Sequence, residues 1–308
     1  MQFSKIQFRN LNSWLQIVRI PNLFTVPGDP LAGLFTAAAI SHSAVSLHHI
    51  LLVPCIALFF YVFGMILNDL CDIDEDAVCR PERPLSSGRI SIVAARTAAI
   101  GFAAAGLGLA LVLGAKVFVT SLMLTFLIAA YNILFKRNRV QGPLAMGLCR
   151  GFSFLVGASV FDWPLSTVIL AVMLAGYIAS ITYIASFENR MHNFGKIAIL
   201  PLLCMAGIGF YVTARLSVVS SPYLLFSGAM VLTAGLIMTG GILRKLTIHP
   251  ALPSTSRATV GTLLRNLVFI QSGLLLMAPG TVSTLLGILV LLVGWPANAL
   301  LAAKFSAS

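Results

Sequence analysis

The chain has 308 residues, of which 58% are hydrophobic and 9% charged, and its mean hydropathy is +0.97. A water-soluble domain carries about 25% charged residues, so these figures exclude a soluble single-core enzyme and a disordered chain and leave a polytopic membrane protein. Twenty Lys and Arg against nine Asp and Glu give a net charge of +11. In a membrane chain that excess reports topology and anionic headgroups; with no finger, RNP or helix-turn-helix pattern, no nucleic-acid partner is expected.

Within residues 1–22, Leu11, Trp14, Leu15 and Val18 share one helical stripe, with Lys5, Arg9 and Arg19 scattered around it. This reads as an interfacial helix lying on the membrane ahead of the first span. The segment has no continuous apolar h-region, so a cleaved signal peptide is not expected. Residues 23–308 form the transmembrane domain. A crossing helix needs about 17–25 apolar residues, and suitable runs lie at 23–40, 50–69, 91–114, 117–135, 143–161, 164–186, 196–214, 222–243, 260–278 and 281–303. Pro27-Gly28-Asp29-Pro30 should break or kink the first, and the ninth could be a half-helix. The fold class is all-α, a polytopic transmembrane helical bundle of nine or ten spans, with ten preferred. Cys55, Cys71, Cys79, Cys149 and Cys204 form no CxxC pair, which argues against a disulfide framework or a zinc site.

The cations set the orientation. Arg80, Arg83, Arg89, Arg96, Lys136, Arg137, Arg139, Arg190, Lys196, Arg244, Lys245, Arg257, Arg265 and Lys304 fall at alternate span ends, together with Lys5, Arg9 and Arg19. The opposite ends carry Lys116 and Arg215 beside His42, His48, His49 and Asp162. The positive-inside bias therefore puts both termini and the polar interruptions 70–90, 187–195 and 244–259 in the cytoplasm, in what should be a bacterial inner membrane.

Five of the nine acids lie in the run Asn68-Asp69-Leu70-Cys71-Asp72-Ile73-Asp74-Glu75-Asp76. At about 100° per residue, Asn68, Asp69, Asp72 and Asp76 fall within one arc of about 100°, with Asp74 pointing away. Ionisable groups concentrated beside a membrane usually mark a site. Three convergent carboxylates suit Mg2+, which takes substrate phosphate as a remaining ligand. Arg80 and Arg83 follow directly, and the set describes a diphosphate clamp. The plainer reading is a solvated acidic loop beside basic headgroups.

These residues resemble a known family. Asn68-Asp69-x-x-Asp72-x-x-x-Asp76, followed by Arg80, Arg83-Pro84-Leu85 and Gly88, is similar to the first aspartate motif of the UbiA-type intramembrane prenyltransferases. Arg19-x-Pro21-Asn22, Tyr131 with Lys136-Arg137, and Gly147 to Arg150-Gly151 extend the resemblance over most of the chain. It implies a helical bundle around a central cavity, with cytoplasmic cap loops and Mg2+ holding a prenyl diphosphate below a lipid-open chamber. On that resemblance Asp69, Asp72 and Asp76 would be metal carboxylates, Asn68 polar support, and Arg83 and Lys136 diphosphate contacts. The second acidic motif of the family is reduced here to Glu188, Asn189, Arg190 and His192, so a second metal should be weak, absent or replaced by Arg190; a polar turn is the plain alternative. Degenerate second motifs and an additional C-terminal span are similar to the UbiA-like EboC proteins.

Further candidates lie inside the bundle. Asn22 and Asp29, seven residues apart on one helical face, either line the acceptor or diphosphate chamber or, for Asp29, cap backbone donors of the Pro-Gly-Asp-Pro turn. Arg150 either binds an anionic acceptor group or snorkels to the interface. Tyr131 and Tyr183 either flank a carbocation or pack the core. The working expectation is transfer of an isoprenyl group from a prenyl diphosphate to a small acceptor, aromatic or otherwise polar, among membrane lipids. A cation transporter and a catalytically lapsed, isoprenoid-binding protein are the alternatives. The Asp-Gly and Ala-Arg pattern of CDP-alcohol phosphotransferases is missing between Asp69 and Asp76.

Overall fold

Apolar runs of this length close their backbone hydrogen bonds within each helix, since lipid offers no other partners. The structure, a computed structural model, describes residues 12–19, 23, 25–187, 194–248 and 253–296, and among these it contains helices and turns but no strand. Residues 12–18 form α1. Then come α2 (Gly28–Ile40), α3 (Leu47–Cys71), α4 (Ile73–Cys79), α5 (Ile92–Leu113), α6 (Ala115–Ala130), α7 (Gln141–Ala158), α8 (Leu165–Ala185), α9 (Leu200–Leu216), α10 (Pro222–Ile248), α11 (Pro253–Met277) and α12 (Thr281–Leu289). Among the described residues eight of these, α3 and α5 to α11, are long and apolar enough to cross a membrane.

The first expected span, 23–40, is helical over Gly28–Ile40. Helix α2 has 13 residues, which at 1.5 Å per residue is about 20 Å, short of a bilayer core of about 30 Å. The Pro27–Pro30 turn does more than kink the segment: the helix begins there, with Pro27 as its N-cap. Residues Gly28 to Ala39 are all buried, so α2 is a short central helix and not a lipid-facing span. The ninth expected span is a full-length helix, and α11 is the most enclosed of the long ones, with 78% of its apolar window buried. The tenth position holds α12 and a π turn, Val290–Gly294.

Helix α7 runs between α2 and α8, and its glycines explain how closely it does so. A Cβ on Gly157 would come within 1.8 Å of Pro30 O, and one on Gly147 within 2.3 Å of Ala175 O. Small residues at these crossings replace the hydrophobic drive that lipid removes, because backbones in van der Waals contact are what hold membrane helices together. The buried short helix is thereby pinned on one flank by α7 and on another by α11.

Helix α1 meets the bundle through Ser13 and Ile17, which are buried, while Leu15 on the expected apolar stripe is exposed. Ile17 joins Phe63, Ile66, Leu85 and Ile90 in one cluster. That cluster draws the 80–90 loop back over the end of α3. On the opposite face Lys116 pairs with Asp162, and Ser46 hydrogen-bonds His48 and His49, a polar rim as expected. All five cysteines are free.

Candidate functional site

The acidic run straddles a helix break. Helix α3 ends at Cys71, Asp72 has φ −102° and ψ 6°, and α4 restarts at Ile73. Asp69 and Asp76 are buried, with 5% and 2% of their surface exposed, whereas Asp74 and Glu75 point to solvent. Burying carboxylates in this way is tolerable only with cations at hand.

The cations come from the loop that folds back. Arg83 Nη1 lies 2.9 Å from Asp76 Oδ2 and 3.5 Å from Asp69 Oδ1, so one guanidinium nitrogen bridges the two buried acids. Arg80 Nε reaches Asp76 Oδ1 at 3.3 Å, and Arg19 Nη2 reaches Asp69 Oδ1 at 3.7 Å. The loop is held by Ser87 N donating to Arg83 O, Ile90 N donating to Pro84 O, and Gly88 at φ +69°. Arg89 ties it further, donating to Glu82 O and to Ser87 Oγ.

A fourth cation arrives from α6. Its last turn is a π turn, Tyr131–Phe135, closed by Lys136 N donating to Tyr131 O. Single π turns inside α-helices are frequent at functional sites, and the extra residue re-aims the side chains beyond it. Here Lys136 Nζ lies 2.7 Å from Asp72 Oδ1 and donates to Asn68 O at 3.3 Å. Asp72 therefore pairs with Lys136 and does not meet the other two acids at one point. Among the described residues no three Asp, Glu, His or Cys side chains converge as a ready ligand cage. The structure groups the three carboxylates as two plus one, Asp69 and Asp76 on Arg83 and Asp72 on Lys136.

The donor chemistry still fits Mg2+. That ion usually binds through one or two carboxylates, keeps several waters, and takes substrate phosphate as a ligand. Asp69 and Asp76 already hold a cationic nitrogen between them. The mouth as a whole gathers Arg19, Arg80, Arg83 and Lys136 around Asp69, Asp72 and Asp76, four positive groups on three negative ones.

A second polar cluster lies within the bundle. Asp29, fully buried in the first turn of α2, has Oδ2 2.7 Å from Arg150 Nη1 and accepts a hydrogen bond at Oδ1 from Gln271 Nε2 at 2.7 Å. Gln271 Nε2 also donates to Thr25 O, and Arg150 Nη2 donates to Thr25 Oγ1. The Arg150 guanidinium thus turns to Asp29 and does not run out to the interface. Tyr131 sits half-buried in the π turn, while Tyr183 stacks edge-on against Phe187, whose ring also receives Arg139 at 5.2 Å. Asn22, Glu188, Asn189, Arg190 and His192 lie outside the described residues. Arg19, Thr25 and Gln271 join these clusters without being site candidates from sequence. Arg19 belongs to the Arg19-x-Pro21-Asn22 pattern, but Gln271 stands alone in an apolar run and gives no signal.

Comparison with known proteins bears on family and fold. The chain is 33% identical over 122 residues to the digeranylgeranylglyceryl phosphate synthase of Methanopyrus kandleri, covering 40% of this chain and 45% of that protein. It is 30% identical over 161 residues to the synthase of the same name from Methanothrix thermoacetophila, covering 52% and 59%. The aligned regions thus span about half the length of these curated relatives. Among solved structures, one described with digeranylgeranylglyceryl phosphate synthase superposes with a TM-score of 0.61 at 17% identity, over 86% of this chain and 97% of the other. A UbiA homologue from Archaeoglobus fulgidus bound to GPP and Mg2+ gives 0.55 at 18% identity, over 84% and 99%; at such identity these two speak for the fold. The profile of the UbiA prenyltransferase family matches residues 30–252, so the chain belongs to the UbiA prenyltransferase family.

Proposed function

We propose that this integral-membrane protein is a Mg2+-dependent prenyltransferase, moving an isoprenyl group from a prenyl diphosphate to a polar acceptor, with its mouth facing the cytoplasm. The observation that carries the proposal is the bridging of buried Asp69 and Asp76 by one nitrogen of Arg83, with Lys136 on Asp72 beside them. Asp69 and Asp76 would hold the metal, and Asp72 would keep Lys136 oriented. Bound there, Mg2+ would supply Lewis-acid neutralisation of the leaving diphosphate.

The remaining work falls to the chain's own cations. Arg83, Arg80, Arg19 and Lys136 bind the diphosphate oxygens and stabilise the charge that builds on them as the allylic C–O bond breaks. Arg83 is well placed for this role, because its guanidinium is a planar fork suited to phosphate and it stands against the two acids that would hold the metal. The apolar bundle keeps water from the allylic cation, which water would quench. The acceptor then contributes the electron pair and gives up its proton to the departing diphosphate. The named relatives make a glyceryl phosphate lipid the first acceptor to try, ahead of an aromatic acid.

The test is a transfer assay with purified full-length protein, labelled geranylgeranyl diphosphate and geranylgeranylglyceryl phosphate. The expected result is a doubly prenylated lipid with Mg2+ and none with EDTA. Product from an aromatic acid alone would move the acceptor class. A cation carrier would neither release diphosphate nor gain thermal stability from geranyl diphosphate with Mg2+.

A further inference from the structure

The cluster of Asp29, Arg150, Gln271 and Thr25 shares no residue with the mouth and differs from it in charge. The mouth sets four cationic groups against three carboxylates; the inner cluster sets one guanidinium against one carboxylate and is neutral. Both Asp29 oxygens are engaged, one by Arg150 and one by Gln271. Asp29 is therefore occupied by its neighbours and serves as the counter-ion of Arg150. The Gln271 amide is fixed in turn: its NH2 faces two acceptors, Asp29 Oδ1 and Thr25 O, at 2.7 and 2.8 Å. Its Oε1 is buried with no hydrogen-bond partner among the described residues and lies where a Cβ on Gly28 would come within 2.2 Å. Gly28 is the residue that lets this amide approach α2.

Arg150 is the member with donor capacity left. A guanidinium carries five N–H donors, and Asp29 and Thr25 account for two among the described residues. Its side chain keeps 19% of its surface open. It is the tenth residue of the 21-residue span Gln141–Phe161, so it sits at the middle of that span. Two residues before it, Leu148 is exposed, as is Leu144. At about 100° per residue Arg150 is about 200° away from Leu148, on the inward side of α7. Spare N–H donors at that depth, with no water expected around them, call for a partner oxygen.

We infer that Arg150 is a specificity-determining residue that holds an uncharged oxygen group, hydroxyl or carbonyl, at the inner end of the acceptor, and that Asp29 and Gln271 are positioning residues acting through it. Neutrality of the cluster selects the ligand: a multiply charged diphosphate is drawn to the positive mouth, while a neutral oxygen satisfies donors without needing an uncompensated charge. This rests on the transferase reading, since it names the acceptor side of the same site.

The experiment uses the full-length protein and two probes, geranylgeranylglycerol and geranylgeranylglyceryl phosphate, read as thermal stabilisation by each and as acceptor KM. Asp29→Asn combined with Arg150→Gln keeps the cluster neutral and its volume similar, so no buried charge is stranded. It is expected to weaken both probes by about tenfold or more, while stabilisation by geranyl diphosphate with Mg2+ stays within twofold in concentration dependence. Gln271→Leu is expected to raise acceptor KM about tenfold with the prenyl diphosphate KM unmoved. Both probes binding the variants as they bind wild type would overturn the inference and leave the cluster as a pin for α2. Weakening of the phosphate probe alone would overturn it too, since Arg150 would then read an anion. So would failure of either probe to stabilise wild type. If geranyl diphosphate with Mg2+ fails on wild type while both glycerol-lipid probes behave as expected, the transferase reading falls and Arg150 stands only as an oxygen-binding residue.

Discussion

Asp76→Asn is expected to lower turnover by about 10²–10³-fold, the range seen when one group that stabilises transition-state charge is removed. Asp76 is 2% exposed and binds two arginines, Arg83 at 2.9 Å and Arg80 at 3.3 Å. The amide keeps the shape but removes the charge, so it weakens the metal site and releases the anchor of the 80–90 loop together. Steady-state kcat with geranylgeranyl diphosphate checks this, and the Mg2+ requirement should move to higher concentration. Glu75→Gln is the internal control. Glu75 lies in the same acidic run but is exposed and pairs with no cation among the described residues, so its turnover should stay within twofold. Equal losses in both variants would mean that the run acts as a diffuse negative patch and not through the Arg83 bridge.

The second large effect is on stability. Asp29→Ala should cost about 3–5 kcal/mol, the usual consequence of stranding a buried charge. Asp29 is fully buried, and removing it leaves the Arg150 guanidinium with Thr25 as its partner among the described residues while Gln271 loses its best acceptor. The loss should appear as a lower unfolding midpoint in detergent. The double variant Asp29→Asn with Arg150→Gln should lose much less than Asp29→Ala, because the pair is then replaced by neutral groups of similar size. If Asp29→Ala unfolds at the wild-type midpoint, the pair contributes nothing and α2 is held by helix packing only.

Local pattern and three-dimensional setting divide between them the features that are legible in the sequence and those that are hidden. Long apolar runs report themselves because lipid leaves the backbone one economical option, and the runs behind α3 and α5 to α11 are all readable in this way. The aspartate run is readable because acids are so sparse elsewhere. Phase is less secure. A straight helix through Asp69, Asp72 and Asp76 puts all three on one face, but the break at Asp72 and the π turn at Tyr131–Phe135 deliver Lys136 to Asp72 and leave Arg83 to the other two. Neither irregularity has a signature in residue type, since both are fixed by packing between helices. The Pro27–Pro30 turn is visible, yet whether it kinks a span or starts a short helix depends on what surrounds it, here α7 and α11. Gln271 is invisible for a different reason. It is 242 residues from Asp29 in sequence, and a single amide in an apolar helix acquires meaning only through the partner it meets.

The two buried acids at the mouth are the crux: they are either a metal site with Arg83 beside it, or a purely structural anchor for the 80–90 loop. Crystals of the full-length protein grown with Mn2+ and geranyl diphosphate, with data collected at the manganese edge, test this directly. The expected result is anomalous density against the Asp69 and Asp76 carboxylates, with the Arg83 guanidinium moved from between them onto a phosphate oxygen. A diphosphate bound elsewhere, with Arg83 still bridging the two acids and no anomalous density beside them, would contradict it.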